Sequence, residues 1–403
     1  MDNLPKPRIV VPAAMAILLT FGRNGMLPFE ERYLLLDRLM NYFVVIIAPV
    51  FALKDIVPRP RNHNLHLLIP LFMLVSWVGA CVIVGGPREY WPNHTTLLTI
   101  FLSILMATQI TRSDLCILRR IVLVLSGIFT ICTLVFAQLT LHQIFDGTLI
   151  GRLGVDISPA NVIIYPRVMY MLIITCFVSF AIDKSVLVRV FSVAFAVIPL
   201  IIALATGGRG ALVGGLVAAL VFLLGVSKTK MKAIRYFTGI VVLLGLGYYV
   251  TIAFLPLMKQ RISSFDSSGR VDIWSDLLKS NITIFGEGLS ASYPHNIFLE
   301  FLYNYGIIGL LLFLFLLTTS ISVVRKYYMR THDQEALWVV AALVLQMTAQ
   351  QFSLDIFYGS LWAAIILPLG FGWDYSDVAV EAHAASRNSS DLSGKDESMV
   401  MCK

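Results

Sequence analysis

Of 403 residues, 58% are hydrophobic and only 14% charged, with a mean hydropathy of +0.80, a composition that excludes an ordinary water-soluble domain and implies a polytopic membrane protein. The apolar runs are continuous rather than alternating, which selects helices over a closed barrel as the way to satisfy the backbone in lipid. The formal charge of +7 is mostly membrane topology and is not read as nucleic-acid binding.

About twelve spans are predicted, from runs that approach or exceed the ~20 residues needed to cross ~30 Å of hydrocarbon. In chain order they cover roughly 9–22, 39–53, 65–86, 96–110, 119–140, 161–182, 187–206, 210–226, 236–256, 297–320, 335–352 and 356–373. The first is short, and Lys6 and Arg8 ahead of it resemble the start of a signal peptide. No small-residue cleavage site follows before Arg23, so an uncleaved span is expected. With a cytoplasmic N-terminus, 20 of the 31 Lys and Arg fall in cytoplasmic segments, ten lie on the opposite side and Arg167 lies inside a span. This loop-by-loop bias is the positive-inside pattern.

The expected organisation is a membrane domain over 1–373, a periplasmic loop over 257–294 between the ninth and tenth spans, and a polar, disordered cytoplasmic tail over 374–403. Five cysteines without paired spacing suggest neither a disulfide framework nor a zinc site. No Walker-type loop is present, which argues against an ATP-driven pump.

The outer face concentrates the unusual residues. In the loop, "SGRVDIWSDLLKS" predicts a short surface helix with Ser268 as cap and Val271, Trp274 and Leu278 on one face. Arg209 stands between glycines in "LATGGRGALVGG", where the backbone can approach a ligand closely. Arg167 lies just inside a span, and Pro166 is expected to kink the helix there. Beyond the loop, "YPHNIFLEFLYNYGIIG" opens a span with His295, Asn296, Glu300 and Asn304, polar groups that membrane depth makes expensive.

Arg167, Arg209, Arg270 and His295 near one face suit an anion, since the guanidinium fork matches phosphate bidentately. At the edge of the hydrocarbon a lipid diphosphate is the natural candidate. No Asp-x-Asp pair or cluster of carboxylate and histidine ligands occurs on this side, so a metal clamp and any other cofactor are not expected. Asn296 reads as a helix cap or a residue orienting the base. Glu300, about 140° around a regular helix from His295, is expected to face the bundle and pair with a basic group, Arg167 being the candidate.

These residues carry a family resemblance. The Gly-Arg-Gly turn, "SGRVDIW", "FGEG", and His295-Asn296 followed after nine residues by Gly306-Ile307-Ile308-Gly309 resemble the O-antigen ligase and polymerase superfamily of bacterial inner membranes, over about residues 200–320. The resemblance implies a GT-C-like helical fold and a metal-independent, inverting glycosyltransferase. Its donor would be a glycan on undecaprenyl diphosphate, presented at the periplasmic face. A ligase passes the glycan to lipid A–core oligosaccharide; a polymerase passes it to another lipid-linked repeat. Ligase is the first expectation, and the short loop before His295 keeps polymerase beside it. His295 is then the base, with Arg209 and Arg167, then Arg270, stabilising the leaving diphosphate. A transporter with Arg167 and Glu300 as a buried gating pair is the alternative from a different class.

Overall fold

The computed structural model describes residues 9–21, 42–56, 68–85, 94–136, 164–205, 209–227, 229–254, 270–279, 282–286, 296–351 and 359–370. Among these residues all regular structure is helical. The helices are α1 (Val10–Phe21), α2 (Ala48–Ile56, entered through a π-helical turn at Phe43–Ile47), α3 (Ile69–Gly85), α4 (His94–Ala107), α5 (Arg112–Phe136) and α6 (Ile164–Ile182). There follow α7 (Val186–Ala205), α8 (Arg209–Val226), α9 (Lys230–Phe254), α10 (Arg270–Lys279), α11 (Ile297–Thr331), α12 (Gln334–Gln350) and α13 (Gly359–Gly370).

Each of the twelve predicted apolar runs coincides with a helix, and α10 is the short helix expected in the loop. By length and apolarity together, α11 alone among the described residues is clearly able to cross a membrane; the other apolar helical stretches are shorter. The tail from 374 and the run 287–295 lie outside the described residues.

Helix α1 is part of the core: Ala14 to Phe21 are buried, and the helix packs against α4, α5 and α6. Helices α6 and α12 pack against each other, and both pack against α8 and α5. The pair is antiparallel with a regular register. Arg167 at the start of α6 meets Ala349 and Gln350 at the end of α12, and Thr175 Oγ1 accepts from Trp338 Nε1 at 3.0 Å. At the far end Arg119 of α5 links Asp183, just after α6, to Glu335 in the first turn of α12. Pro166 lies in the first turn of α6, where a missing N–H removes no intrahelical bond. The kink expected there is therefore not needed.

Glycines allow α8 to come close to both partners. A Cβ on Gly214 would stand 2.8 Å from Leu345 O and 3.3 Å from Ala349 N, and one on Gly215 would stand 2.7 Å from the Tyr170 ring. Close backbone approach through small residues is how helices pack where no hydrophobic gradient drives them together. Outward faces stay apolar, as with Val186 and Leu187 on α7 and Tyr249 on α9, which suits lipid rather than water.

Helix α11 departs from the expected span 297–320. Its 35 residues would be about 52 Å long if continuous, and it runs on to Thr331 before turning at His332 (φ 50°) into the Asp333 cap of α12. It is also broken. Gly306 has φ 71° and ψ −173°, a backbone region open essentially to glycine only. The break divides α11 into a half-helix over 297–305 and a long segment over 307–331.

Candidate functional site

The candidate site lies at the end of the bundle where α6 and α8 begin, α12 finishes and α11 enters. Asn296 sets the entry of α11. Its backbone is extended (φ −146°, ψ 121°) and its side-chain oxygen accepts from Phe298 N at 3.0 Å and Leu299 N at 3.2 Å, satisfying two of the donors that a helix start leaves open. The capping role expected of Asn296 is thus observed. Glu300, one turn on, is 3% exposed, which agrees with the expectation that it faces the bundle.

Arg167 is 1% exposed. One terminal nitrogen donates to the Gln350 side-chain oxygen, and the other donates to the Ala349 carbonyl at 2.8 Å. These two bonds tie α6 to the last turn of α12. Two of its donors are thus used between helices while the whole side chain is buried.

Arg209 is the first residue of α8 and Arg270 the first of α10; their side chains lie outside the described residues, as does His295. The helices nonetheless relate these positions. Gly214 of α8 abuts Ala349, whose carbonyl holds Arg167, and Arg209 starts the same helix five residues earlier, about 7.5 Å along its axis. Helix α10 packs against α11 with Leu277 buried, while Leu278, expected on its apolar face, is 57% exposed. The buried side of α10 takes Leu277, leaving Leu278 on the outward side.

After α10 the chain docks on the break in α11. Thr283 O accepts from Ile307 N at 3.3 Å and Ile284 O from Ile308 N at 3.4 Å. From α3, Trp77 Nε1 donates to Tyr305 O at 2.9 Å, and its ring stacks on Phe285 with centroids 5.8 Å apart. These bonds engage backbone groups beside the break, which membrane depth requires. Gly286 (φ 80°) faces Gly306: a Cβ on Gly286 would lie 2.5 Å from Asn304 O and from Gly306 N, and a Cβ on Gly306 would meet Ile284 O and Gly286 N within 3.0 Å.

Two features lie beyond what the motifs predict. Gln346 is fully buried with neither amide atom hydrogen-bonded, one turn before Gln350; the spacing of two glutamines in an apolar run was the available signal. The other is the ion cluster of Arg119 with Asp183 and Glu335; in the sequence Arg119 counts only toward the basic residues of the cytoplasmic side.

Residues 194–314 match the family model described as O-antigen ligase. No curated protein and no solved structure matches the chain. The matched run begins within α7 and ends eight residues beyond Gly306, so it contains Arg209, Arg270, His295, Asn296, Glu300 and both docking glycines, while Arg167 lies outside it. Over residues 194–314 the chain is thus similar to the O-antigen ligase family, the same region that carries the resemblance of the Gly-Arg-Gly turn and the His295-Asn296 motif.

Proposed function

We propose that this protein is a glycosyltransferase of the inner membrane that moves a glycan from undecaprenyl diphosphate to a hydroxyl acceptor at the periplasmic face, with lipid A–core as acceptor. The observation that carries this reading is the family match, which spans Arg209, Arg270 and His295 in one run. His295 accepts the proton of the acceptor hydroxyl as its oxygen attacks the anomeric carbon, a role suited to an imidazole near neutral pH. The bond from that carbon to the diphosphate breaks with inversion, and the lipid diphosphate leaves with the electron pair. Arg209 and Arg270 stabilise the charge that develops on it. Arg167, buried and fixing α6 to α12 at the same end of the bundle, is the third arginine of this set. The chemistry asks for no cofactor and no metal.

The second reading is a polymerase, with another lipid-linked repeat as acceptor. The compactness of the run between α9 and α11, residues 255–296, favours it, because less chain is left to accommodate a core oligosaccharide. Deletion of the gene followed by gel analysis of lipopolysaccharide separates the two. Loss of a ligase leaves core with no O-antigen, loss of a polymerase leaves core with a single repeat, and an unchanged ladder would reject both.

A further inference from the structure

The break in α11 stands at a chemically informative place. Asn296 caps the helix, nine residues (297–305) form the half-helix, and Gly306 ends it; at 1.5 Å per residue its length is about 13 Å. Gly286 is seated against Asn304 and Gly306 at the far end of this piece. The chain therefore leaves one end of the half-helix at Gly286 and returns to its other end at Asn296. In sequence, Gly286 stands between Arg270 and His295.

We infer that the interlock of Gly286 with Gly306, held by Trp77, is a positioning device for transfer: it sets the Asn296 end of α11, which follows His295 in sequence, relative to the helix that begins at Arg270. This rests on the glycosyltransferase reading above. Glycine is required at both positions for two separate reasons. Both backbones have positive φ, and at each a Cβ would collide with main-chain atoms of the opposite strand of chain, which cannot move aside as a side chain can. A merely protective role, sealing the break against lipid, would need the hydrogen bonds but would not tie catalysis to them. Positioning does, because displacement of a reacting group by about 1 Å costs roughly 10²-fold in rate.

The test uses the purified full-length protein in detergent or nanodiscs, with a lipid diphosphate-linked glycan donor. Gly306→Ala, Gly286→Ala and the milder Trp77→Phe, which removes the indole N–H bond to Tyr305 O but keeps an aromatic ring beside Phe285, are compared with wild type. Hydrogen exchange at the Ile307 and Ile308 amides reports whether the interlock has opened. For Gly306→Ala the expected result is faster exchange there, kcat lower by about 10²-fold with donor KM little changed, and loss of the acid limb of the pH–rate profile. That limb arises because a histidine base must be neutral to accept a proton, so the wild-type rate falls at acid pH; a displaced base leaves a residual rate without it. Trp77→Phe is expected to shift the same quantities in the same direction by less, which keeps the test usable if a glycine variant fails to fold. An opened interlock with wild-type kcat and pH profile would overturn the proposal, as would unchanged exchange in Gly306→Ala. Wild-type protein with protected amides but no transfer from the lipid diphosphate donor would instead remove the glycosyltransferase reading, and the proposal with it.

Discussion

The two ends of the α6–α12 pair each bury an arginine, and they handle it in opposite ways. At one end Arg119, 1% exposed, makes a two-pronged contact with Glu335 at 2.7 and 2.9 Å and a third with Asp183 at 2.6 Å, with the Ser179 hydroxyl alongside. Arg120 reaches the other oxygen of Asp183 at 3.3 Å, and Arg189 Nε donates to its carbonyl at 2.7 Å. At the other end the terminal nitrogens of Arg167 go to an amide oxygen and a main-chain carbonyl. The first arrangement matches a guanidinium fork to a carboxylate and clamps three helices; it is closed, and no ligand is needed to complete it. The second lies in the same end layer as the starts of α8 and α11, beside the matched run. Burial of an arginine therefore does not by itself mark a site: the partners and the neighbouring helix ends distinguish a clamp from a support.

Several perturbations would break or sharpen this contrast. The largest effect belongs to the site end: His295→Ala is expected to lower transfer by about 10²–10⁴-fold while the protein still inserts and folds, and a purified variant with near-normal transfer would remove His295 as the base. At the clamp end, Arg119→Ala leaves buried carboxylates uncompensated and is expected to cost about 3–5 kcal/mol of stability, read as a lowered unfolding midpoint with activity per folded molecule retained. If that variant were stable but inactive, the clamp would belong to the functional site. Arg209→Lys keeps the charge but loses the planar fork, so transfer should fall roughly 10–10²-fold without loss of stability; wild-type rates would make Arg209 structural or only electrostatic.

Smaller effects come from the support. A double-mutant cycle on Arg167→Gln and Gln350→Leu should give a coupling of about 0.5–3 kcal/mol in stability, because the two side chains share a buried hydrogen bond. The same cycle with Glu300→Gln measures whether Glu300 belongs to that support, and additive losses in transfer would move Glu300 to an independent acceptor-binding role. The smallest effect is expected from chelation: EDTA should leave wild-type transfer largely intact, since the outer-face sequence offers no metal-ligand pattern.

Much of the helical architecture is legible from local composition. A long apolar run must close its own backbone bonds in lipid whatever surrounds it, so the position of each helix follows from hydropathy, and the cap at Asn296 follows from a short polar side chain opening such a run. The residues of the family motif are legible for the same reason: they are local strings. Partnership is different. Arg167 meets Ala349 and Gln350, 182 and 183 positions away, and nothing in "YPRVMYML" points to those partners. The orientation of the Arg167 side chain, the clamp at Arg119 and the pairing of Gly286 with Gly306 were settled only when distant helices packed. A hydrogen bond or a main-chain collision depends on where two segments cross, and that crossing depends on many side chains at once.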